Sequence, residues 1–455
     1  MEYLHRCLGR LKTSPGFKFH PRCDKLDITH ISFADDLMLF ARGDLQSVET
    51  LMNKFQKFSC ATGLKAHPGK CRVYFGGVEH RERKAILAST GFSEGELPFK
   101  YLGVPLSSKK LTIPQCRPLV DKIVAKIKHW TSRLLSYAGR WQLIQSVLFA
   151  VTAYWMQVFP LPQGVMKQIE AICRSFLWSG TEVISKKAPI AWEQVCEPKN
   201  AGGLNITALA TWNKATMGKL LWNIQAKADK LWIKWLDTYY IKGQDLNTWQ
   251  VAATCSWVVK KIMDLRDTMS QTEHWATAIH SGKYVTGTMY KELRGDRIQV
   301  CWRKILFTNY ARPRAIFTLW MALRGRLPTR DRLHKFGMTI ERNCCFCDAE
   351  ESLEHLFFMC KETKLVWRKV LLWMGIDRRP MKWNDEVATS RKKGIKNQLL
   401  KVAFAETVYS IWRNRNDKIF NHKDQISRSY EEIIHNVKMR SSLHRKLSLH
   451  ISQYA

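Results

Sequence analysis

The sequence predicts an α+β unit at the amino terminus, followed by mainly α-helical regions and a small metal-binding module. Two β-rich runs flank a short acidic break in residues 26–40, LDITHISFADDLMLF, which is typical of a strand, a tight turn and a strand. After about Thr112 the apolar residues recur at helical spacing. Four of the 13 cysteines crowd between Cys344 and Cys360 and the others are scattered singly, a pattern that favours reduced thiols and one metal site.

Helices are predicted to cover the strands of the amino-terminal unit. Asp44 can cap a helix that Gly63 ends. The apolar side of that helix comprises Val48, Leu51, Met52, Phe55 and Phe58. Residues 71–75 and 99–106 have the composition of further short strands. Together these segments predict an antiparallel sheet with helix cover.

The rest of the chain is predicted to be mainly helical. The apolar stripes of three helices comprise Ile123, Ile127, Trp130 and Leu134, then Ile169, Ile172, Phe176 and Leu177, and finally Leu400, Phe404, Val408, Ile411 and Trp412. Core packing is the ordinary role of such stripes. A loosely patterned stretch from about 240 to 300 resembles a connector between these helical regions.

The charge of the chain predicts a polyanionic partner. Its 73 Lys and Arg against 39 Asp and Glu give a formal net charge of +34, which repels itself in a compact fold unless a polyanion shares the surface. RNA and DNA are the expected partners. The best hydrophobic stretch, residues 147–159, is too short to span a bilayer, and the amino terminus has no secretory signal. The expectation is therefore an intracellular protein without a membrane partner.

Asp35 and Asp36 lie between two apolar strands, where at least one carboxylate is expected near a buried sheet. Nucleotidyl transfer uses two divalent metals held by carboxylates that project from rigid backbone. Adjacent aspartates at a hairpin tip suit that task. The alternative is an ordinary Asp-Asp turn, and the neighbouring sequence is what argues against it.

An ordered series of motifs resembles the non-LTR (LINE-type) retrotransposon reverse transcriptases of plants. Phe33–Asp36 is similar to their aromatic-Ala-Asp-Asp box. Residues 61–70 are similar to their Ser-Gly-Leu...Asn...Lys segment, with His67 where Asn is usual. Lys100–Leu106 is similar to the turn said to grip the primer. Matches to the thumb region continue through residues 130–144, 176–178 and 202–204.

The resemblance implies site residues and a place of action. Asp35 would be the principal metal ligand, Asp36 its partner, and Lys70 a proton donor or charge stabiliser, with Mg2+ or Mn2+ bound only if the polymerase site is complete. The family's fingers, upstream catalytic Asp and nucleotide-pocket segment do not occur here, so we expect an amino-terminally truncated polymerase that needs the missing part. A nuclear location is also implied. The alternatives are a non-catalytic RNA- and DNA-binding protein and a decayed element without a selected function.

The cysteine cluster predicts a structural zinc site. Cys344-x2-Cys347-x7-His355-x4-Cys360 offers a knuckle and two further ligands, and four such ligands leave no open position on a tetrahedral ion. Cys345 is the alternative to Cys344, but its spacing makes a poorer knuckle. Glu351 or Glu354 could orient the imidazole.

The surrounding sequence resembles the zinc-binding domain that follows these reverse transcriptases, which is thought to hold RNA or DNA. The arginines expected to contact phosphates are Arg140, Arg312, Arg314, Arg324, Arg326, Arg330 and Arg332. The predicted domains are a partial polymerase palm (1–110), a helical thumb-like region (111–240), a connector (241–295), a zinc-binding domain (296–375) and a basic helical tail (376–455). The tail lacks the spaced acids of a ribonuclease H, so no such activity is expected.

Overall fold

The computed structural model describes residues 2–107, 109–130, 135–185 and 187–451. Its strands are β1 (His30–Phe33), β2 (Asp36–Leu39), β3 (Arg72–Val73), β4 (Ser93–Glu94), β5 (Phe99–Tyr101) and β6 (Val104–Leu106). The helices of the first half are α1 (Glu2–Gly9), α2 (Leu45–Thr62), α3 (His80–Thr90), α4 (Arg117–His129), α5 (Tyr137–Leu143), α6 (Phe149–Met156), α7 (Gln163–Ser179), α8 (Trp192–Cys196) and α9 (Leu209–Gln225). Those of the second half are α10 (Leu231–Leu236), α11 (Trp257–Met263), α12 (Arg266–Ser270), α13 (Glu273–Ser281), α14 (Thr286–Arg294), α15 (Arg303–Phe307), α16 (Pro313–Leu323), α17 (Arg330–Lys335), α18 (Lys361–Trp373), α19 (Trp383–Ser390), α20 (Ile395–Asn421), α21 (Ser429–Ser442) and α22 (Arg445–Ile451).

These elements confirm the predicted fold class, with small sheets near the amino terminus and helices in most of the remainder. The strands nevertheless form three separate pairs where the sequence predicted one antiparallel sheet. β1 with β2 and β5 with β6 are antiparallel hairpins, whereas β3 pairs with β4 in parallel. Strands of two to four residues exhaust their backbone donors and acceptors after a few pairs, which limits the growth of a wider sheet.

Helix α2 has the limits that the sequence predicted. The Asp44 side chain accepts a hydrogen bond from the backbone N–H of Ser47, which satisfies one of the free donors of the first turn. Gly63 ends the helix with a φ of 74°, in the left-handed region where a residue without a Cβ is favoured. Leu51 and Phe58 are buried, so the predicted apolar side is the packed side.

The described chain divides into two compact units. Unit 1 comprises Met1–Arg117, Trp155–Pro162 and Asn213–Leu293. One of its core clusters joins α1 to α2 through Leu4, Leu8, Leu11, Leu51 and Phe58. The stretch that resembled a connector contains α11–α14 and buries large side chains such as Trp249, Met269 and Trp275. It is therefore a packed part of unit 1, although its apolar spacing is irregular.

Unit 2 comprises Pro118–Tyr154, Gln163–Trp212 and Arg294–Ala455. Its helices bury most of the predicted stripes on α4, α7 and α20. Trp130 and Trp412 are half-buried, and Leu134 lies outside the described residues. An aromatic cluster joins the segment before α18 to α18, α19 and α20. Its rings are those of Phe358, Trp367, Trp383 and Phe404, with centroids 5.6 to 5.9 Å apart. Within the described residues no helix is long and apolar enough to cross a membrane.

Candidate metal centres

The acidic doublet lies at the tip of the β1–β2 hairpin, as the sequence predicted. Phe33 pairs with Asp36, which leaves Ala34 and Asp35 as the two central residues of the turn. Ala34 has a φ of 52°, a left-handed conformation that costs a residue with a Cβ about 1–2 kcal/mol. This tight turn places the carboxylates of Asp35 and Asp36 at the tip of the hairpin.

The hairpin buries one face and exposes the acids on the other. Leu37 and Leu39 pack against the α1–α2 core, and alternation along β2 directs Asp36 away from them. Both Asp35 and Asp36 are exposed to solvent, which corrects the expectation that one carboxylate lies near a buried sheet. The two-stranded hairpin has too little width to enclose its tip, so a metal bound there would not have to offset desolvation.

A second hairpin, β5–β6, lies within electrostatic range of Asp36. Its turn consists of Leu102 and Gly103, which have φ values of 50° and 80°, the left-handed pair typical of two-residue hairpin loops. Burial, and then the negative charge of Asp36, raise the pKa of Tyr101. Tyr101 is therefore a neighbour of the acidic site that was not singled out from the sequence. The position of Tyr101 within the Lys100–Leu106 motif is the sequence feature that could have identified it.

Lys70 lies on a different segment, at the end of the 3-10 turn Pro68–Lys70, and is exposed. In the described part of the chain it forms no hydrogen bond or ion pair with Asp35 or Asp36. Among the described residues no third His, Cys, Asp or Glu groups with the doublet as a possible metal ligand. Within the described residues the two carboxylates are therefore adjacent at the hairpin tip and Lys70 is not bonded to either of them.

The four predicted zinc ligands come together in unit 2. The ligand atoms of Cys344, Cys347, His355 and Cys360 all lie within 4.8 Å of one another. The Cys347 Sγ is 3.1 Å from His355 Nε2 and 3.6 Å from Cys360 Sγ, which is 4.0 Å from Cys344 Sγ. Zn–S bonds of about 2.3 Å at tetrahedral angles separate ligand atoms by about 3.8 Å. The cluster therefore has the size of a tetrahedral zinc site.

Local backbone hydrogen bonds shape this cluster. The N–H of Cys344 donates to Ala349 at 2.7 Å and that of Cys347 donates to Cys344 at 3.3 Å, which closes the knuckle. A five-residue π-helical turn begins at His355, and the N–H of Cys360 donates to the His355 carbonyl at 2.7 Å. Such turns are often found at functional sites. This turn brings the third and fourth ligands to one ion.

The surroundings of the cluster favour the zinc-binding form of the histidine and disfavour that of Cys344. Hydrogen bonding with the Cys345 thiol, followed by burial, raises the pKa of Cys344, and burial lowers the pKa of His355. Zinc binds the thiolate and the neutral imidazole. Burial therefore already favours the zinc-binding form of the histidine, while the ion itself would supply the charge that stabilises the thiolates. Cys345 lies outside the four-ligand group.

Glu351 ties the cluster to helix α20, and within the described residues its carboxylate forms no hydrogen bond with the His355 imidazole. Its carboxylate is fully buried and accepts hydrogen bonds from Arg415 at 2.7 and 3.2 Å. It also accepts from the Arg330 N–H at 2.8 Å. Glu354 is exposed. The role considered for Glu351 in orienting His355 is thus replaced by a buried ion pair with the long helix.

Three of the predicted phosphate contacts use their guanidinium groups inside the fold. The pairs are Arg312 with buried Glu406 at 2.6 Å, Arg324 with Glu197 at 3.1 Å, and Arg330 with Glu341 at 3.0 Å. Arg324 also donates to the Gly202 carbonyl at 3.1 Å. The Arg312 and Arg324 pairs join residues 94 and 127 positions apart, so they hold distant elements together. The Arg330 pair is local, because Glu341 lies 11 residues away and is 71% exposed.

The other predicted arginines differ in their surroundings. Arg140 donates to the Leu177 carbonyl at 3.4 Å and lies over the Tyr137 ring, 5.3 Å from its centroid. Arg314 is exposed, and neither it nor Arg326 has a side-chain hydrogen bond or ion pair among the described residues. Arg332 lies over the Phe336 ring. Arg314 and Arg326, which precede the zinc knuckle in the sequence, therefore have guanidinium groups that can bind an anion.

Comparison with known proteins agrees with these sites. Residues 3–106 match the family model described as reverse transcriptase (RNA-dependent DNA polymerase). Residues 284–367 match the model described as zinc-binding in reverse transcriptase. The first match contains the Asp35–Asp36 hairpin, and the second contains all four ligands of the cluster. The chain thus carries a reverse-transcriptase segment and a reverse-transcriptase zinc-binding domain.

A curated plant protein is also similar to this chain. It is an Arabidopsis thaliana protein named "Putative ribonuclease H protein", 27% identical over 208 residues, which are 44% of this chain and 34% of the relative. The chain spans about a third of the length of that protein. With the two family matches, this similarity supports a plant retrotransposon reverse transcriptase with a zinc-binding domain.

Proposed function

We propose that the chain is a partial RNA-directed DNA polymerase of a non-LTR retroelement, which binds RNA and DNA and does not polymerise by itself. The observation that carries this proposal is the presence, in one chain, of an Asp-Asp hairpin in a reverse-transcriptase segment and a Cys3His cluster in a zinc-binding domain. Nucleic acid is the substrate class that both parts serve.

The binding role is supported by charge and by the zinc-binding domain. A net charge of +34 makes association with a polyanion favourable, mostly through phosphates and with little sequence preference. The zinc ion would be structural, held by Cys344, Cys347, His355 and Cys360. Arg314 and Arg326 are the arginines that we propose for direct phosphate contact, since among the described residues their side chains form no hydrogen bond or ion pair. Arg332 would add positive charge to this surface, although its guanidinium is bound to the Gly325 carbonyl.

The catalytic role is assigned to Asp35 and Asp36 as ligands of Mg2+ or Mn2+. A two-metal site needs more oxygen ligands than two side chains provide, so polymerisation would require carboxylates from a further polymerase segment. We expect no primer extension on an RNA template when the purified chain is supplied with Mg2+ or Mn2+. Extension by the chain alone, abolished by Asp35→Ala, would overturn this part of the proposal.

A second candidate is a non-catalytic zinc-dependent binding protein derived from such an element. This candidate is favoured because, among the described residues, no third metal ligand lies with Asp35 and Asp36. An experiment that adds a separate polymerase segment, carrying the upstream catalytic Asp, to the purified chain distinguishes the two functions. Extension that appears on addition and is lost with Asp35→Asn supports the polymerase, and binding with no extension supports the alternative.

Two further expectations follow from this proposal. The site of action would be the nucleus, and a fluorescent fusion that stays out of the nucleus of plant cells would contradict it. Ribonuclease H activity, which the name of the Arabidopsis protein mentions, is not proposed for this chain. We expect an RNA:DNA hybrid to remain intact with the purified protein and Mg2+, and metal-dependent loss of its RNA strand would show the reverse.

A further inference from the structure

A surface of unit 2 just before the zinc knuckle combines exposed apolar side chains with positive charge. We name it the knuckle patch and define it by Arg326, Arg332, Lys335, Phe336 and Met338. Phe336 is 68% exposed and Met338 is 49% exposed. A single exposed ring needs no explanation by itself, so the neighbours of Phe336 decide what the ring can do.

Arg332 and the backbone hold the Phe336 ring in place. The guanidinium carbon of Arg332 lies 5.1 Å from the ring centroid, and the same guanidinium donates to the Gly325 carbonyl. The N–H groups of Phe336 and Met338 both donate to the Leu333 carbonyl, at 3.1 and 3.2 Å. The ring therefore stands on an ordered turn beside a fixed cation, and an incoming ligand would not have to order it.

The charge around the ring favours an anionic ligand. Residues 324–343 contain six Lys and Arg and two acids, Asp331 and Glu341. These acids accept hydrogen bonds from Thr329 and Arg330. Burial, and then repulsion from Arg326, lower the pKa of Arg332. A phosphate near Arg326 and Arg332 would reduce the repulsion between these two guanidinium groups.

We propose that the knuckle patch binds single-stranded RNA or DNA, with an unpaired base stacked on Phe336 and the flanking phosphates beside Arg326 and Lys335. This inference rests on the proposed nucleic-acid-binding function and adds the form of nucleic acid that is bound. Every base has a π-face, so a ring with a neighbouring cation accepts any sequence. The paired bases of a duplex keep their faces covered, so the patch selects unpaired segments.

The test compares Phe336→Ala, Phe336→Trp and Phe420→Ala in the full chain. Phe420 is 71% exposed in the same unit but lies on α20, outside the patch, and is a matched control. The probes are oligo(dT), oligo(rU) and a DNA duplex of equal length. We expect Phe336→Ala to weaken binding of both single strands about tenfold, the size of one lost base–aromatic stack. Phe336→Trp should restore binding, and Phe420→Ala should leave it unchanged.

A stacking ring also has a spectroscopic signature. A 2-aminopurine base within the single strand should lose fluorescence on binding the wild-type chain and regain it with Phe336→Ala. Single-strand binding by Phe336→Ala at wild-type strength would overturn the patch and leave the proposed function standing. An equal loss of duplex and single-strand binding would also overturn the patch, because stacking predicts a selective loss. Failure of the wild-type chain to bind any probe at low salt would instead remove the proposed function.

Discussion

At the scale of single residues, the zinc ligands are the sharpest prediction. The chain should bind one Zn2+, and Cys347→Ser should release it, because the knuckle of Cys344 and Cys347 supplies two of the four ligands. Structural zinc of this kind contributes on the order of 10 kcal/mol of apparent binding energy, comparable with the stability of a domain. Elemental analysis of protein purified without chelator measures the metal content directly.

Cys345 provides the matched control for that experiment. It is adjacent in sequence, but it lies outside the four-ligand group, so Cys345→Ser should retain the zinc while Cys344→Ser loses it. Zinc that is released by Cys345→Ser and kept by Cys344→Ser would reverse the assignment of the first ligand. Wild-type protein without zinc would exclude the site.

The sequence predicted these ligands because their spacing is local. A Cys-x2-Cys knuckle and a His and Cys five positions apart meet one ion through short turns, whatever the rest of the chain does. The sequence did not predict the partner of Glu351, because Arg415 lies 64 residues away along the chain. Pairing between distant helices depends on packing that no local pattern records. For the same reason Arg312 and Arg324 resembled phosphate contacts although they pair with Glu406 and Glu197.

At the scale of elements, hairpins were predictable and sheet assembly was not. The β1–β2 hairpin follows from two apolar runs around an acidic turn, and both strands are at their predicted place. The parallel pairing of β3 with β4 depends on the return of the chain after α3. A strand of two residues offers no alternation from which its partner could be inferred.

Helix α20 should be stabilised by its buried ion pair with the zinc-binding region. We expect Glu351→Gln to lower the opening free energy of the α20 amides by about 3 kcal/mol, because it leaves Arg415 buried without its counter-charge. Glutamine keeps an oxygen that can accept from the Arg330 N–H. Native-state hydrogen exchange of residues 399–415, measured with zinc in excess, reports this helix without requiring two-state unfolding of the whole chain.

The neighbouring residue supplies the control. Glu350 pairs with Arg342 at 3.4 Å, and both side chains are more than half exposed, so Glu350→Gln should change the same exchange by less than about 1 kcal/mol. Equal protection of α20 in the Glu351→Gln and wild-type proteins would mean that the ion pair does not couple the helix to the cluster.

At the scale of the whole molecule, composition predicted the type of partner, whereas the division into units depends on long-range packing. The excess of Lys and Arg is visible in the sequence, and it indicates a polyanion whatever the fold. Unit 1 instead joins residues 1–117 to residues 213–293. The predicted connector, residues 241–295, covers only the later part of that second stretch. It looked like a connector because its helices α11–α14 are short, and short helices show little periodicity.

Binding should depend steeply on salt, since the net charge acts mainly through released counterions. If about five phosphates are neutralised, log K against log salt for a single strand should have a slope of about −3.5, or about a hundredfold loss between 50 and 200 mM. Replacing Arg314 and Arg326 by Gln should make the slope shallower by about 1.4. Arg324→Gln removes the same charge from a group that is bound to Glu197 and Gly202, so the slope should stay at its wild-type value. Filter binding or fluorescence anisotropy across that salt range measures all three slopes.

A slope near zero in the wild-type chain would contradict electrostatic binding. If Arg324→Gln made the slope shallower by half as much as the double variant does, the slope would depend on the total charge alone and not on which arginines are free to contact phosphates.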